Sequence, residues 1–340
     1  MAQCFGACSE FASNAPMMQE AQFVSASAME RGVAALEALP GEARRGFFGP
    51  GSITWTVNRE SAVFLGAGRA ALLQLAHPWV AASLAQHSNL MQDAIGRFHS
   101  TFRVIYTMLF GTRAQAVAAA RQLYRRHASI RGELPQAVVS HAAHEHYEAN
   151  ELRALTWVYA TLVDSAVLAY EFVRPALTAE QRETYFRESK RMGLLFGISP
   201  EFLPADWCAF IRYFEEMVAS DELDVSETAR ALGVSVMSGV GTWVRPPRWY
   251  HALTAAWMPE RLRGGFGLAY GPSEQQAARR AQTWLPTVYA RLPEAVRYVG
   301  PYHEAIARLR DREPGWLARR SNRFWMGRER LLYPDIDEAD

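Results

Sequence analysis

The sequence predicts an all-α protein built as a single globular multi-helix domain. Three observations carry that expectation. Apolar residues recur at spacings of three and four nearly everywhere past residue 59, no run alternates apolar and polar residues in the manner of a half-buried strand, and capping residues punctuate the helical stretches. The periodicity places helices over residues 59–76, 78–92, 97–111, 113–131, 150–175, 179–196, 204–220, 226–238, 248–260, 273–292 and 301–311. Thr112-x-x-Gln115, Thr178-x-x-Gln181 and Ser273-x-x-Gln276 have the capping-box spacing, in which a hydroxyl and an amide satisfy N–H groups at a helix start. Pro78 and Pro204 suit a first helical turn, where a missing N–H costs nothing, and Gly111, Gly132 and Gly197 follow helical segments as stops. The weakest joints, Gly132–Glu148 and Arg245–Arg248, are flanked by apolar helices. One domain over residues 31–334 is therefore expected, with residues 1–30 as a loose arm and 335–340 as a tail.

Composition narrows the function classes. Of 340 residues, 49% are hydrophobic and 21% charged, so the chain can bury a large core and still line an apolar pocket. Its 36 basic and 35 acidic residues leave a net charge of +1, which offers no basic surface for nucleic acid. Cys4, Cys8 and Cys208 are too few and too unevenly placed for a disulfide framework, and they suit a reducing compartment. The first residues lack a signal peptide's basic start and apolar run, and no transmembrane segment is expected. The apolar stretch 62–85 is broken by Arg69, Gln74, His77 and Pro78, as a core helix would be. A soluble cytoplasmic protein is the expectation.

Several constellations bear chemistry. Gly66-Ala67-Gly68-Arg69 has the Gly-x-Gly of a phosphate-binding turn, but no strand precedes it and Leu72 occupies the third glycine position, so close helix packing explains it better. His141, His144 and His146, followed by Glu148, are ligand types for zinc or iron. They lie in a polar stretch at an unfamiliar spacing, which favours a solvated loop. Arg97, Ser100 and Thr101 share one helical face amid Ile95, Phe98, Phe102 and Ile105; they form either an internal ion pair or cap, or a polar wall for an anionic or oxygen-derived ligand. Val117, Ala120, Leu123, His127 and Ile130 put an imidazole on a core-facing stripe, with Arg131 one turn beyond. A buried imidazole is either a hydrogen-bonded core residue or an axial ligand for haem iron, and spacing alone leaves both open. On residues 150–175, Tyr159 needs a partner or a cavity for its hydroxyl, and Asp164 needs an arginine or a hydroxyl.

Taken together, the motifs resemble a known family. They are Phe48-Gly-Pro-Gly-Ser-Ile-Thr-Trp55, Glu60, the run Gly66 to Pro78, Ala85-Gln-His-Ser88, Arg97-x-x-x-Thr101, Tyr124-x-x-His127-x-x-x-Arg131-Gly132, Leu155 to Asp164, Gly265 to Tyr270, and Leu292-Pro to Tyr298. Over about residues 45–312 they look like the rubber oxygenase catalytic-domain family, which includes latex-clearing proteins and MpaB-type oxygenases. The resemblance implies an all-α fold enclosing a b-type haem, and O2-dependent oxygenation or cleavage of a hydrophobic, isoprenoid or lipid-like substrate. In it His127 corresponds to the iron-ligating proximal histidine, with Arg131 completing its motif, and Arg97 and Thr101 correspond to polar residues of the distal side. Ser100 stands where the latex-clearing branch has lysine and supplies no cation; Tyr159 stands where many relatives have histidine. Both are counted among the cofactor-contacting positions, and His87 and Glu60 are considered for the distal acidic position. The expected function is a haem-dependent oxygenase. A haem-binding sensor or redox protein without turnover is the alternative, and a metal-dependent hydrolase at His141, His144 and His146 is a third reading.

Overall fold

The computed structural model describes residues 22–88, 93–139, 141–239 and 245–331. Cys4, Cys8 and the tail from 335 lie outside them. Sixteen α-helices dominate the described residues: α1 (Ala26–Glu37), α2 (Ile53–Asn58), α3 (Ala67–Leu75), α4 (Pro78–His87), α5 (Ala94–Phe110), α6 (Arg113–Ala128), α7 (Leu152–Val173), α8 (Ala179–Leu195), α9 (Trp207–Ala219), α10 (Glu227–Ser238), α11 (Arg248–Trp257), α12 (Glu260–Gly265), α13 (Pro272–Arg291), α14 (Glu294–Arg297), α15 (Gly300–Leu309) and α16 (Trp316–Met326). A 3-10 turn, Ser61–Gly66, leads into α3. The predicted boxes at Thr112 and Thr178 form, each hydroxyl accepting from the N3 backbone at 3.1 Å.

The differences from the expected elements have local causes. Pro272, not Ser273, opens α13, because Glu274 reaches back to accept from the Gly271 N–H at 3.0 Å. Asp206 caps α9 by accepting from the Ala209 N–H at 2.8 Å, which leaves Pro204 before the helix. Helix α6 stops at Ala128, so Arg131 does not lie one helical turn beyond His127. It opens β1 (Arg131–Glu133), which pairs antiparallel with β2 (His146–Glu148) and takes Gly132 with it. Strands of three residues are too short to write an alternating pattern. Helix α1 begins inside the stretch read as a loose arm: Met29, Val33 and Leu36 are buried one turn apart, and Val24 joins them in the core.

Helix α7 is the axis of the fold. It is apolar on most of its circumference, and the 3-10 turn and α2, α3, α8, α9 and α13 all contact it. Among the described residues it alone has the length and composition to cross a bilayer, but 72% of that stretch is buried inside the protein. The indole of Trp157 donates to the Leu73 carbonyl at 2.8 Å, tying α7 to α3. Beside it, Asp164 finds the arginine its burial demands. Arg69, 5% exposed, lies 2.5 Å from the Asp164 carboxylate and donates to Ser165 Oγ at 2.8 Å and to the Trp257 carbonyl at 2.9 Å. One guanidinium thus joins α3, α7 and the end of α11.

Arg69→Ala should cost about 3–5 kcal/mol, because it strands a poorly solvated carboxylate, whereas the pair Arg69→Met with Asp164→Leu should recover most of that loss. Urea denaturation of the three proteins checks it. A single-variant loss under about 1 kcal/mol would mean the clamp contributes little.

Candidate functional site

A cavity of about 1220 Å³, open to the surface, lies between the 3-10 turn and α3 on one side and α5 on the other, with α7, α11, α13 and α16 completing it. Close backbone approach makes its floor. A Cβ on Gly66 would sit 2.6 Å from the Ser165 carbonyl oxygen, and one on Gly68 would sit 3.0 Å from the Tyr250 hydroxyl, which accepts from the Gly68 N–H at 3.0 Å. The Gly-Ala-Gly-Arg motif therefore serves packing, as expected from the missing strand and third glycine. The wall is aromatic: Phe64 packs against Phe98 and Phe102 of α5, with centroids 5.8 and 4.7 Å away, and stacks on Trp325 of α16 at 3.5 Å.

Polar atoms on this wall are few and mostly engaged. Tyr289 donates to the buried Glu60 at 2.8 Å; Arg297 and Arg174 flank that carboxylate at 3.4 and 3.6 Å. Glu60 is thus tied into an ion network behind the wall. Tyr106 differs. It is 1% exposed and lines the cavity, and its hydroxyl has no hydrogen-bond partner among the described residues. Burial pushes its pKa well above the ordinary tyrosine value, so it is a neutral donor.

Helix α5 presents Arg97 and Thr101 to the same space; the Thr101 hydroxyl donates to the Arg97 carbonyl at 3.0 Å. His127 does not line the large cavity. It faces an adjoining cavity of about 40 Å³ with Ser83, His87, Ser88, Arg126 and Ile130. Arg97 and Leu84 line both spaces, so these two side chains stand between the imidazole and the large cavity. Burial, and then the Arg97 and Arg126 guanidiniums, lower the His127 pKa to about 4. The Arg97 pKa is itself lowered to about 10, first by burial and then by Arg126. The site therefore combines a neutral imidazole with two close cations, and no described residue hydrogen-bonds the imidazole or pairs with Arg97.

The other candidates are placed elsewhere. Ser100, one residue before Thr101, is half-buried and lines neither space. Tyr159 is fully buried on α7, its hydroxyl 2.7 Å from Ser189 Oγ, which donates to the Phe186 carbonyl. That is the interior partner its burial required, and it faces α8 rather than a cavity. Arg131 is exposed and donates back to the Ala128 carbonyl at 3.3 Å, while its own carbonyl accepts from His87 at 3.1 Å. The three loop histidines diverge. His144 and His146 are exposed and share Glu133 at 3.4 and 3.1 Å, whereas His141 turns inward beside Trp79 and bonds Glu145 at 2.9 Å. Among the described residues no three His, Cys, Asp or Glu side chains are arranged to hold a metal ion. Sequence reasoning missed Tyr106, although its i+4 and i+8 spacing from Phe102 and Phe98 marks the same face. It also missed α16 altogether.

A family model described as "ER-bound oxygenase mpaB/B'/Rubber oxygenase, catalytic domain" matches residues 54–292, well over half of the chain. No curated protein and no solved structure matches it.

Two measurements test the geometry. An unfolded histidine titrates near 6.5, so as pH falls the unfolded chain takes up a proton that folded His127 refuses until about pH 4. Its contribution to stability is full above pH 6.5 and is lost as pH falls toward 4. Arg97→Gln removes a neighbouring cation and should raise the His127 midpoint, read by NMR titration of the imidazole; an unmoved midpoint would leave burial and Arg126 as the causes. Tyr106→Phe should stabilise the ligand-free protein by about 1 kcal/mol, because it deletes a buried hydroxyl without a partner. A destabilised variant in thermal or chemical denaturation would show that the hydroxyl is satisfied.

Proposed function

Because the chain belongs to the mpaB/rubber oxygenase catalytic-domain family, an oxygenase family, we propose that it is a haem b-dependent oxygenase acting with O2 on a hydrophobic, isoprenoid or lipid-like substrate. The observation that carries this reading is the placement of a neutral, unengaged imidazole beside Arg97, at the boundary of a large aromatic-walled cavity.

The residues present suit the group in their chemistry. An iron ligand must be deprotonated, and His127 stays neutral far below pH 7. The small cavity cannot contain a macrocycle, while the large one has the volume, and Arg97 and Leu84 line both. When bound, the haem supplies the iron at which O2 is activated. The chain's own part is ligation by His127, orientation by Arg97, and exclusion of water by Phe64, Phe98 and Phe102. Arg97 and Arg126 also suit the negative charge of carboxylates or of an oxygen-derived ligand. Thr101 already spends its proton on the Arg97 carbonyl, so it serves an incoming group as an acceptor first.

A second reading, a haem-binding sensor or redox protein without turnover, draws on Ser100, which brings no cation and faces neither cavity. Oxygen consumption with release of a modified terpenoid or lipid separates the two.

Protein produced with haem supplied should show a Soret band, and His127→Ala should lose it or shift it. A colourless wild-type protein would overturn the proposal; a band that ignores the substitution would move the ligand to another residue.

A further inference from the structure

We propose that the face formed by α16 and the adjacent surface of α13 docks on an anionic lipid bilayer, so that the cavity opens onto the hydrophobic phase. The docking does not depend on the oxygenase reading; only the identity of what enters rests on it.

The mouth of the cavity lies on this face. Trp316, Arg320, Arg323 and Phe324 line the cavity and are all exposed, so α16 forms its solvent-facing rim. Helix α16 is amphipathic in an unusual sense. Ala318, Asn322 and Met326 anchor it inward, while Trp316 (65% exposed), Leu317 (47%) and Phe324 (45%) face water. On α13, Trp284 and Val288 are also exposed, and each precedes a cavity-lining residue, Leu285 and Tyr289. A lone exposed apolar side chain needs no explanation, but five on the two helices around one opening do.

Charge selects the occupant. Helix α16 carries Arg319, Arg320 and Arg323 and no acidic residue; Arg323 meets Glu329 at 2.7 Å, and residues 309–330 still hold seven arginines against Asp311, Glu313 and Glu329, in a chain whose net charge is only +1. Tryptophan and arginine around an apolar rim match the interface of a bilayer, where indoles sit at headgroup level and guanidiniums meet lipid phosphate and carboxylate. A molecule dissolved in the bilayer could then reach the aromatic wall without crossing water.

Sedimentation of the full chain with phosphatidylcholine vesicles, with and without phosphatidylserine, tests this without any haem. Binding should require phosphatidylserine and fall at high salt. Each surface arginine contributes roughly fivefold to such binding, so R320E with R323E should weaken it by more than about twentyfold. W316A with L317A should weaken it by about tenfold or more at an unchanged melting temperature, since both side chains are exposed. Failure of the wild-type chain to bind, or variants that bind equally well, would overturn the proposal. So would self-association that W316A abolishes, which would make a second copy the occupant.

Discussion

The Arg69–Asp164 contact is the interaction on which the rest of the architecture leans. Two ionisable groups mostly shielded from water are tolerable only when they meet, and their meeting sets α3 against α7 while the same guanidinium holds the carbonyl at the end of α11. With those three elements joined, the 3-10 turn can approach α7 as closely as Gly66 allows, and Gly68 can meet Tyr250. That close approach forms the floor of the cavity. The space above it is what remains when helices packed tightly on one side must diverge to accommodate the aromatic rings of α5 and α16.

Electrostatics then sort the site. Arg97 and Arg126 lie close enough to repel a proton from His127, and burial does more in the same direction. The result is an imidazole in its ligating form across the whole physiological range, beside guanidiniums suited to an anion. Such an arrangement costs stability in the ligand-free protein. Like charges and unengaged polar atoms are seldom retained unless something else relieves them, and in the proposed function a bound molecule would do so at Arg97 and Tyr106.

Much of this was legible in the sequence. The helices α4 to α8 start within a few residues of where the spacing puts them, the single helix expected over 59–76 divides into the 3-10 turn and α3, and the capping residues of α6 and α8 act as their chemistry dictates. The Gly-x-Gly motif could be assigned to packing because its missing strand and third glycine are local facts. Other parts were not legible. The hairpin of β1 and β2 and the short helices α2, α12 and α14 have too few residues to write a pattern, α1 hides in a small-residue stretch, and α16 reads as a polar segment because arginines interrupt its stripe. Tyr159 and Asp164 could each be recognised as needing a partner, but Ser189 and Arg69 lie 30 and 95 residues away in the chain.

The sequence by itself determined the helical class, the family and the short list of residues able to carry the chemistry, because periodicity, capping and motif spacing act within a few residues. The tertiary structure alone decided which of them share a space. It turns the α5 face bearing Arg97, Thr101 and Tyr106 toward the 3-10 turn and α16, sets His127 of α6 just behind that wall, and sends Ser100, Tyr159 and Arg131 elsewhere. Neighbourhood across long loops depends on where buried charges must meet and how closely glycines let backbones pass, and no local pattern encodes that.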